Sequence, residues 1–211
     1  MTYFMRPNAL GTALMILVPL LAHAHSYGRW ERKVLNDPAA GFTLTDQDNR
    51  RVSLDDFRGK AVLVTFIFTH CPAACPLITA KLASIHHELK GKDLHILSIT
   101  IDPAHDTPAV LKQYGQEWKG MDFRRWSFLT GTEEEVNSVL ADYRIAVNKR
   151  GERGATGEIL SLHMVDHGAK TYLIDPKGVT RFEYEGQDFE TKTVMKDIAA
   201  VLSQDGSSKG P

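Results

Sequence analysis

Long apolar runs alternate with helical spacings along this chain. KAVLVTFIF (Lys60–Phe68) is almost continuously β-branched or aromatic, which predicts a central strand buried on both faces. DLHILSITI (Asp93–Ile101) predicts a second strand. Between them, apolar residues that include Leu77, Leu82 and Ile85 follow helical spacing, and Pro76 suits the first position of that helix. The pattern therefore predicts a strand–helix–strand unit.

The flanking segments continue the alternation of strands and helices. Two hairpins are predicted, GFTLTDQDNRRVSL near the start and TYLIDPKGVTRFEYE near the end. Thr107 and Thr132 stand where helix N-caps are expected, and TVMKDIAAVL predicts a last helix. Together these elements predict an α/β sandwich.

The first residues have the pattern of a secretory signal peptide. Arg6 precedes an apolar run from Ala9 to Ala22, and the small residues of AHA end at Ala24. The run is shorter than the roughly 20 residues that span a bilayer, which favours cleavage after Ala24 over an uncleaved membrane anchor. We therefore expect an exported protein, periplasmic in a bacterium, with a membrane anchor as the alternative.

The remaining chain is expected to form one domain. The predicted divisions are a signal peptide at 1–24, a linker at 25–40, the α/β domain at 41–203 and a flexible tail at 204–211. Within the domain, the polar segment Asn148–Ser161 contains three glycines and predicts a mobile flap or an extended hairpin.

The charge distribution argues against nucleic-acid binding. The 211 residues carry 25 Lys and Arg against 26 Asp and Glu, a formal net charge of −1. Basic pairs such as Arg50-Arg51 and Arg124-Arg125 are scattered rather than gathered into one patch. We expect a monomer that binds no nucleic acid.

The only two cysteines, Cys71 and Cys75, lie where the first long strand meets its helix. Residues four apart near a helix start fall on the same side, so the two sulfurs can converge. A helix N-terminus favours thiolate, the form that attacks disulfides and binds metals. Ligand sites in α/β folds gather beyond the carboxyl ends of the strands, so the pair should lie at a working edge. This placement predicts a thioredoxin-like sandwich, with an N-terminal β-hairpin and a central mixed sheet flanked by helices.

Three interpretations of the cysteine pair compete. A structural disulfide fits an exported protein with an even cysteine count, but so short a loop constrains the unfolded chain little. A thiol–disulfide oxidoreductase of the thioredoxin type would carry CxxC and a proline opposite the cysteines. This chain has CxxxC instead, and HMVDHG stands before the third long strand.

The third interpretation is a metal site completed by His167. In a thioredoxin-like topology, the turn before the TYLID strand faces the start of the CxxxC helix. Two thiolates and one imidazole form a soft ligand set that suits Cu(I), with room for a fourth ligand on Cu(II). Zinc could use the same atoms, but its structural sites usually have four protein ligands.

Three stretches resemble the Sco/SenC copper-chaperone family: FTLTDQDNRRVSLDDFRGKAVLVTFIFTHCPAACP, ITIDPAHDTP and VDHGAKTYLIDPKG. CxxxC alone is a weak signal, but the three stretches follow the family's order and spacing from Gly41 to the last helix. The resemblance implies a thioredoxin-like fold that binds one copper ion through Cys71, Cys75 and His167. It also implies a role in assembling the dinuclear copper centre of cytochrome c oxidase, by donating copper, by reducing the target's cysteines, or both.

Other residues near these motifs match the family less fully. Asp102, in TIDP, matches a family acid near the site, where a carboxylate could influence copper transfer or orient a partner; a strand-end cap is the alternative. Gly168 replaces the family's usual hydroxyl residue after the DH pair, and Ala73 and Ala74 replace polar or bulkier spacers. None of these departures removes a ligand.

Several histidines are weaker candidates. His70 immediately precedes Cys71 and could support a ligand or contact a partner, with a plain loop position as the alternative. His163 could pair with His167 across a helical turn, but its segment predicts a loop that leads into a strand. The histidines within the predicted helix and strand are expected to be exposed: His86, His87 and His95.

The function that these residues indicate is that of an exported copper chaperone rather than an enzyme. Its partners would be a recipient cuproprotein, by resemblance a cytochrome c oxidase subunit, and a thiol reductant, because a Cys71–Cys75 disulfide has no thiolate to offer. The alternative is a thiol–disulfide reductase that keeps the cysteines of another protein's copper site reduced. A structural binding module is a third alternative. His167 separates the first two, because cysteine exchange does not need it.

Overall fold

The fold is built around one mixed sheet. The structure is a computed structural model that describes residues 30–72, 74–147, 149–153, 159–165 and 169–206. Ten strands lie within these ranges: β1 (Glu31–Pro38), β2 (Thr43–Asp46), β3 (Arg51–Ser53), β4 (Ala61–Ile67), β5 (Leu94–Thr100), β6 (Trp126–Thr130), β7 (Lys149–Arg153), β8 (Ile159–Val165), β9 (Lys170–Ile174) and β10 (Val179–Glu185). The main sheet has the order β1-β10-β9-β4-β5-β6-β2-β3, and β7 pairs with β8 separately.

Helices begin where their capping residues predict. The described ranges contain a 3₁₀ helix (Leu54–Phe57), α1 (Ala74–Glu88), α2 (Pro108–Gln116), α3 (Glu133–Asp142) and α4 (Thr191–Gly206). Thr107 caps α2 by accepting the amide of Val110 at 3.4 Å. Thr132 and Glu135 form a reciprocal capping box at the start of α3, with bonds of 3.1 and 2.8 Å. Both predicted helix starts are confirmed.

The centre of the sheet is β4, and all seven of its residues are buried. It runs parallel to β5, which is buried throughout as well, and antiparallel to β9. Parallel neighbours need a crossover connection, which α1 supplies between β4 and β5. The two long apolar runs are therefore confirmed as central strands of a mixed sheet.

The predicted hairpins are confirmed as well. β2 pairs antiparallel with β3, and β9 pairs antiparallel with β10. In the polar segment before the DH pair, β7 and β8 form an antiparallel pair, as an extended hairpin requires.

The sequence predicts a linker over 25–40, but residues 31–38 form strand β1, which pairs with β10. The charged side chains of β1 find distant partners: Arg32 donates to Asp197 at 2.7 Å, and Lys33 donates to Glu183 at 3.1 Å. Both partners are distant in the sequence: Asp197 lies 165 positions from Arg32, and Glu183 lies 150 positions from Lys33. The linker prediction is wrong here because ERKVLNDP, considered without these distant partners, has the polar composition of a linker.

Two helix boundaries also differ from the prediction. α1 begins at Ala74, so Cys75 lies in its first turn and Pro76 is not its first residue. Proline is tolerated there because amides in a first turn have no intrahelical acceptor. α4 continues to Gly206, beyond the predicted domain end at residue 203.

The predicted signal peptide, residues 1–24, lies outside the described ranges. Among the residues that the structure describes, no helix has the length and apolarity needed to cross a membrane. Whether the segment is cleaved or retained therefore stays a prediction.

Two histidines that the sequence predicts to be exposed are buried. His95, on β5, is 5% exposed, its Nε2 lies 3.0 Å from the Ser127 hydroxyl, and its ring packs on Phe57. His86 is also buried and packs against Trp126. Burial lowers the pKa of His95 to about 3 and lowers the pKa of His86, because desolvation disfavours the charged ring.

We expect the free energy of unfolding to decrease as the pH falls below about 6.5, the ordinary pKa of histidine. Between that pH and the folded-state pKa of about 3, the unfolded chain binds a proton at His95 that the folded chain excludes. One such group contributes at most about 1.4 kcal/mol per pH unit. Urea unfolding at a series of pH values measures the slope.

The matched controls are His95→Gln and His87→Gln. The first should reduce the slope of the pH profile, because glutamine does not titrate while His86 still does. The second replaces an exposed histidine and should leave the profile unchanged. A profile equally steep in His95→Gln and in the unmodified protein would contradict the assignment.

Candidate functional site

The cysteine loop lies at the edge of the sheet where β4 and β5 end. Ile67 of β4 pairs with Thr100 of β5, so the segments that follow the two strands start side by side. β9 is antiparallel to β4, and Thr171 near its start pairs with Thr65. This cysteine edge therefore brings together the CxxxC loop, the DPAHDTP turn and the first residues of β9.

The two cysteines form one hydrogen-bonded pair, and both are reduced thiols. The backbone amide of Cys71 donates to the carbonyl of Phe68 at 3.2 Å, which turns the chain back after the strand. The amide of Cys75 donates to Cys71 Sγ at 3.3 Å. Cys71 sulfur thus takes the place that a capping oxygen occupies at many helix starts, and the two residues meet there.

The environments of the two thiols differ. Cys71 is half-buried, whereas Cys75 is only 1% exposed. The pKa of Cys75 is raised, first by its hydrogen bond to Cys71, then by burial and by the charge of Cys71. An amide at a helix N-terminus favours negative charge on the Cys71 sulfur. Cys71 is therefore the more accessible of the two thiols, and the environment of Cys75 favours its protonated form.

Asp102 lies in the turn that follows β5 and is 5% exposed. Its carboxylate lies 2.8 Å from Nδ1 of His105, and its carbonyl accepts the amides of His105 and Asp106. These contacts agree with the strand-end cap that the sequence offered as the alternative. An influence of Asp102 on copper transfer remains a prediction.

Asp106, which sequence reasoning did not select, is fully buried behind the cysteine loop. It accepts hydrogen bonds from the Thr100 hydroxyl at 2.6 Å and the Thr69 hydroxyl at 2.5 Å. Burial raises the pKa of Asp106, while the bonds from the two threonines oppose that rise. The available signal was the second aspartate in DPAHDTP, but its partner Thr69 is 37 positions away.

A pair of buried hydroxyls lies below Cys75. Thr79 stands one helical turn after Cys75, and its Oγ1 lies 3.0 Å from the hydroxyl of Tyr114 on α2. Burial raises the pKa of Tyr114 to about 12, while the hydrogen bond with Thr79 opposes that rise. The phenol therefore stays protonated near neutral pH. The four-residue spacing from Cys75 to Thr79 was the only sequence signal for this pair.

Of the three histidines predicted near the site, His70 and His163 belong to the described residues and His167 does not. His70 is exposed beside Cys71, and its Nδ1 lies 3.1 Å from the Thr69 hydroxyl. His163 belongs to strand β8, so the prediction of a loop at this position is wrong, and a helical turn cannot pair it with His167. His167 and Gly168 lie outside the described residues.

The fold and the site together define a thioredoxin-like protein. Its mixed sheet carries a CxxxC where a central strand meets its helix, so the thiol pair lies at the edge where β4 and β5 end. Residues 33–203 match the family model described as SCO1/SenC, and the chain belongs to that family. The resemblance seen in the sequence is confirmed, and so is the predicted fold, because the solved structures below share it.

Three relatives illustrate this similarity, one a curated protein and two solved structures. The SCO1 protein homolog of Bacillus subtilis is 32% identical over 162 residues, which cover 75% of this chain and 79% of that protein. The yeast Sco1 structure with copper bound has a TM-score of 0.66 at 27% identity, covering 83% of this chain and 96% of that one. BsSco, for which a disulfide switch was identified and whose family is that of cytochrome c oxidase assembly proteins, has a TM-score of 0.66 at 29% identity, covering 81% and 96%.

We expect Cys71 to be alkylated at least about ten-fold faster than Cys75, because Cys71 is the more exposed thiol and its sulfur receives the helix amide. A short pulse of iodoacetamide on the reduced protein, followed by peptide mass spectrometry, measures both rates.

Single serine variants provide the control for that measurement. Cys75→Ser should keep a rapidly alkylated Cys71, whereas Cys71→Ser should leave a slow thiol at Cys75. Equal rates at the two positions would show that burial and the helix start do not distinguish them.

Proposed function

We propose that this chain is an exported copper chaperone that binds one copper ion through Cys71, Cys75 and His167. The observation that carries the proposal is the cysteine pair at the start of α1, with Cys71 Sγ 3.3 Å from the Cys75 amide and Cys75 almost completely buried. Two adjacent sulfurs form a soft ligand pair of the kind that selects Cu(I). A buried thiol with a raised pKa gives up its proton when a cation takes the proton's place, so copper binding should release protons.

The position of His167 in the chain supports it as a third ligand. Within the described ranges, no group of three or more His, Cys, Asp or Glu side chains could hold a metal ion. A third ligand that joined the two cysteines would therefore come from outside those ranges or from a partner. His167 comes shortly before Lys170, where β9 begins at the cysteine edge.

The related structures support copper as the cargo and a cytochrome c oxidase as its destination. Yeast Sco1 has been solved with copper bound, and BsSco belongs to a family of oxidase assembly proteins. We infer that this chain delivers copper to the dinuclear site of such an oxidase. Export to the periplasm is proposed from the signal-peptide pattern of residues 1–24 alone.

A second candidate, a thiol–disulfide reductase, is favoured by the unequal thiols. The Cys71 thiolate would attack a target disulfide, forming a mixed disulfide and releasing one target thiolate. Cys75, after losing its proton, would attack the Cys71 sulfur, release the second target thiolate and close the Cys71–Cys75 disulfide. The target gains two electrons, this chain loses two, and a separate thiol reductant must restore it.

The first test is copper titration of the reduced protein beside His167→Ala. One tight equivalent is expected, with a sulfur-to-copper charge-transfer band for Cu(II), because two thiolates bind the ion. His167→Ala should weaken copper retention by about ten-fold or more and reduce that band, yet leave the exchange rate of Cys71 with a small disulfide nearly unchanged. Competition with a Cu(I) chelator and absorbance spectroscopy measure the two effects.

His163→Ala is the matched control, because it removes a histidine from the same stretch without removing the proposed ligand. It should retain copper like the unmodified protein. If the unmodified protein binds no copper tightly, the chaperone proposal is wrong and the reductase becomes the better one. If His163→Ala rather than His167→Ala loses copper, the third ligand is misassigned.

A further inference from the structure

A chain of hydrogen bonds connects the turn after β5 to the residue before Cys71. The carboxylate of Asp106 accepts the hydroxyl of Thr69 at 2.5 Å and the backbone amide of the same residue at 3.2 Å. The Thr69 hydroxyl also lies 3.1 Å from Nδ1 of His70. The two turns at the cysteine edge are therefore joined through one buried acid.

The position of each hydrogen in this chain follows from counting donors. A threonine hydroxyl has one hydrogen and can accept through its oxygen. At 2.5 Å from a carboxylate oxygen, the Thr69 hydroxyl gives its hydrogen to Asp106, which is the stronger acceptor. The contact with His70 then requires the imidazole to donate from Nδ1. In the neutral ring this leaves the lone pair on Nε2.

Asp106 accepts from both threonine hydroxyls, so its carboxylate gives no hydrogen back to Thr69. Its other carboxylate oxygen accepts the hydroxyl of Thr100 at 2.6 Å, and that hydroxyl in turn accepts the amide of Asp102 at 2.9 Å. Each threonine hydroxyl therefore accepts one hydrogen and gives its own to the acid. The side chain of Asp106 is 0% exposed, so solvent does not compete for these bonds.

We propose that Asp106 is a positioning residue for the cysteine loop. Through Thr69, Asp106 holds the neutral ring of His70 with its hydrogen on Nδ1 and its lone pair on Nε2. His70 is exposed and directly precedes Cys71 in the chain, so its ring is accessible beside the cysteine loop. There it can accept a hydrogen bond from a partner or bind copper in transit. Only the copper part rests on the proposed function, because the tautomer belongs to the metal-free chain.

The test of the tautomer is long-range ¹H–¹⁵N NMR of the full-length, reduced, metal-free protein at about pH 8.5, well above the ordinary histidine pKa of about 6.5. The chain has nine histidines, and the signals that disappear in His70→Asn identify the ring. We expect Nδ1 to carry the hydrogen in most molecules. Histidine rings in free solution favour Nε2–H, so a majority of Nε2–H at His70 would overturn the proposal.

Asp106→Asn provides the sharper comparison. The amide has one oxygen and one NH₂, so it can no longer accept from both threonine hydroxyls; where the NH₂ faces Thr69, that hydroxyl gives its hydrogen to His70 instead. The Nε2–H tautomer should therefore gain population. An unchanged tautomer in folded Asp106→Asn, together with equal tautomer populations in Thr69→Ser and Thr69→Val, would show that the acid does not act on the ring.

Thr69 variants keep the proposal testable if Asp106→Asn fails to fold. Thr69→Ser retains the hydroxyl and should retain the Nδ1–H tautomer, whereas the isosteric Thr69→Val removes it and should lose the preference. A purely structural role would lower the thermal midpoint without moving the tautomer. Equal tautomer populations in the serine and valine variants would contradict the relay.

Copper transfer is the second readout and separates this proposal from the proposed function. If the protein binds Cu(I), Thr69→Val should slow the release of copper to a chelator by about ten-fold while Thr69→Ser leaves the rate unchanged, because the ring that meets copper in transit is no longer held by the hydroxyl. A failure to bind copper would defeat the chaperone assignment but leave the tautomer result intact. Equal release rates for valine and serine would overturn the link from Thr69 to copper transfer.

Discussion

The parallel pairing of β4 with β5 is the interaction on which the candidate site depends. Both strands are buried along their whole length, so their register is fixed by apolar packing on two faces. Because parallel strands end at the same edge, the loop after β4 and the turn after β5 emerge as neighbours. The buried side chain of Asp106 joins these two segments through its hydrogen bonds to Thr69 and Thr100. Helix α1, which connects the two strands, supplies the amide that donates to Cys71 Sγ. The reactive pair is therefore held by the sheet and the helix without a covalent link.

The parts of the fold that the sequence predicted are those encoded by nearby residues. Lys60–Phe68 is apolar at nearly every position, and the helix caps at Thr107 and Thr132 bond to residues three positions ahead. Strand β1 escaped prediction because its charges are satisfied by Glu183 and Asp197, near the other end of the chain. His95 escaped for the same reason, since its partner Ser127 belongs to another strand.

The candidate site divides in the same way. The spacing of Cys71 and Cys75 is local, and the two residues do meet at a helix start, where the amide of Cys75 donates to the Cys71 sulfur. The difference between the two thiols could not be predicted, because it depends on how deeply the tertiary fold buries Cys75. Asp106 was missed because an acidic residue in a polar turn usually faces water, and only its pairing with Thr69 shows otherwise.

Strand β1 also determines where the chain enters the domain. Glu31 pairs with Glu185, which pairs with Lys170, so β1 begins at the same edge of the sheet at which β4 ends. Three interstrand spacings of about 4.8 Å place this entry roughly 15 Å from β4. The entry of the chain and the thiol pair therefore share one edge of the sheet. A partner that reaches Cys71 approaches the domain from the side on which residue 30 lies.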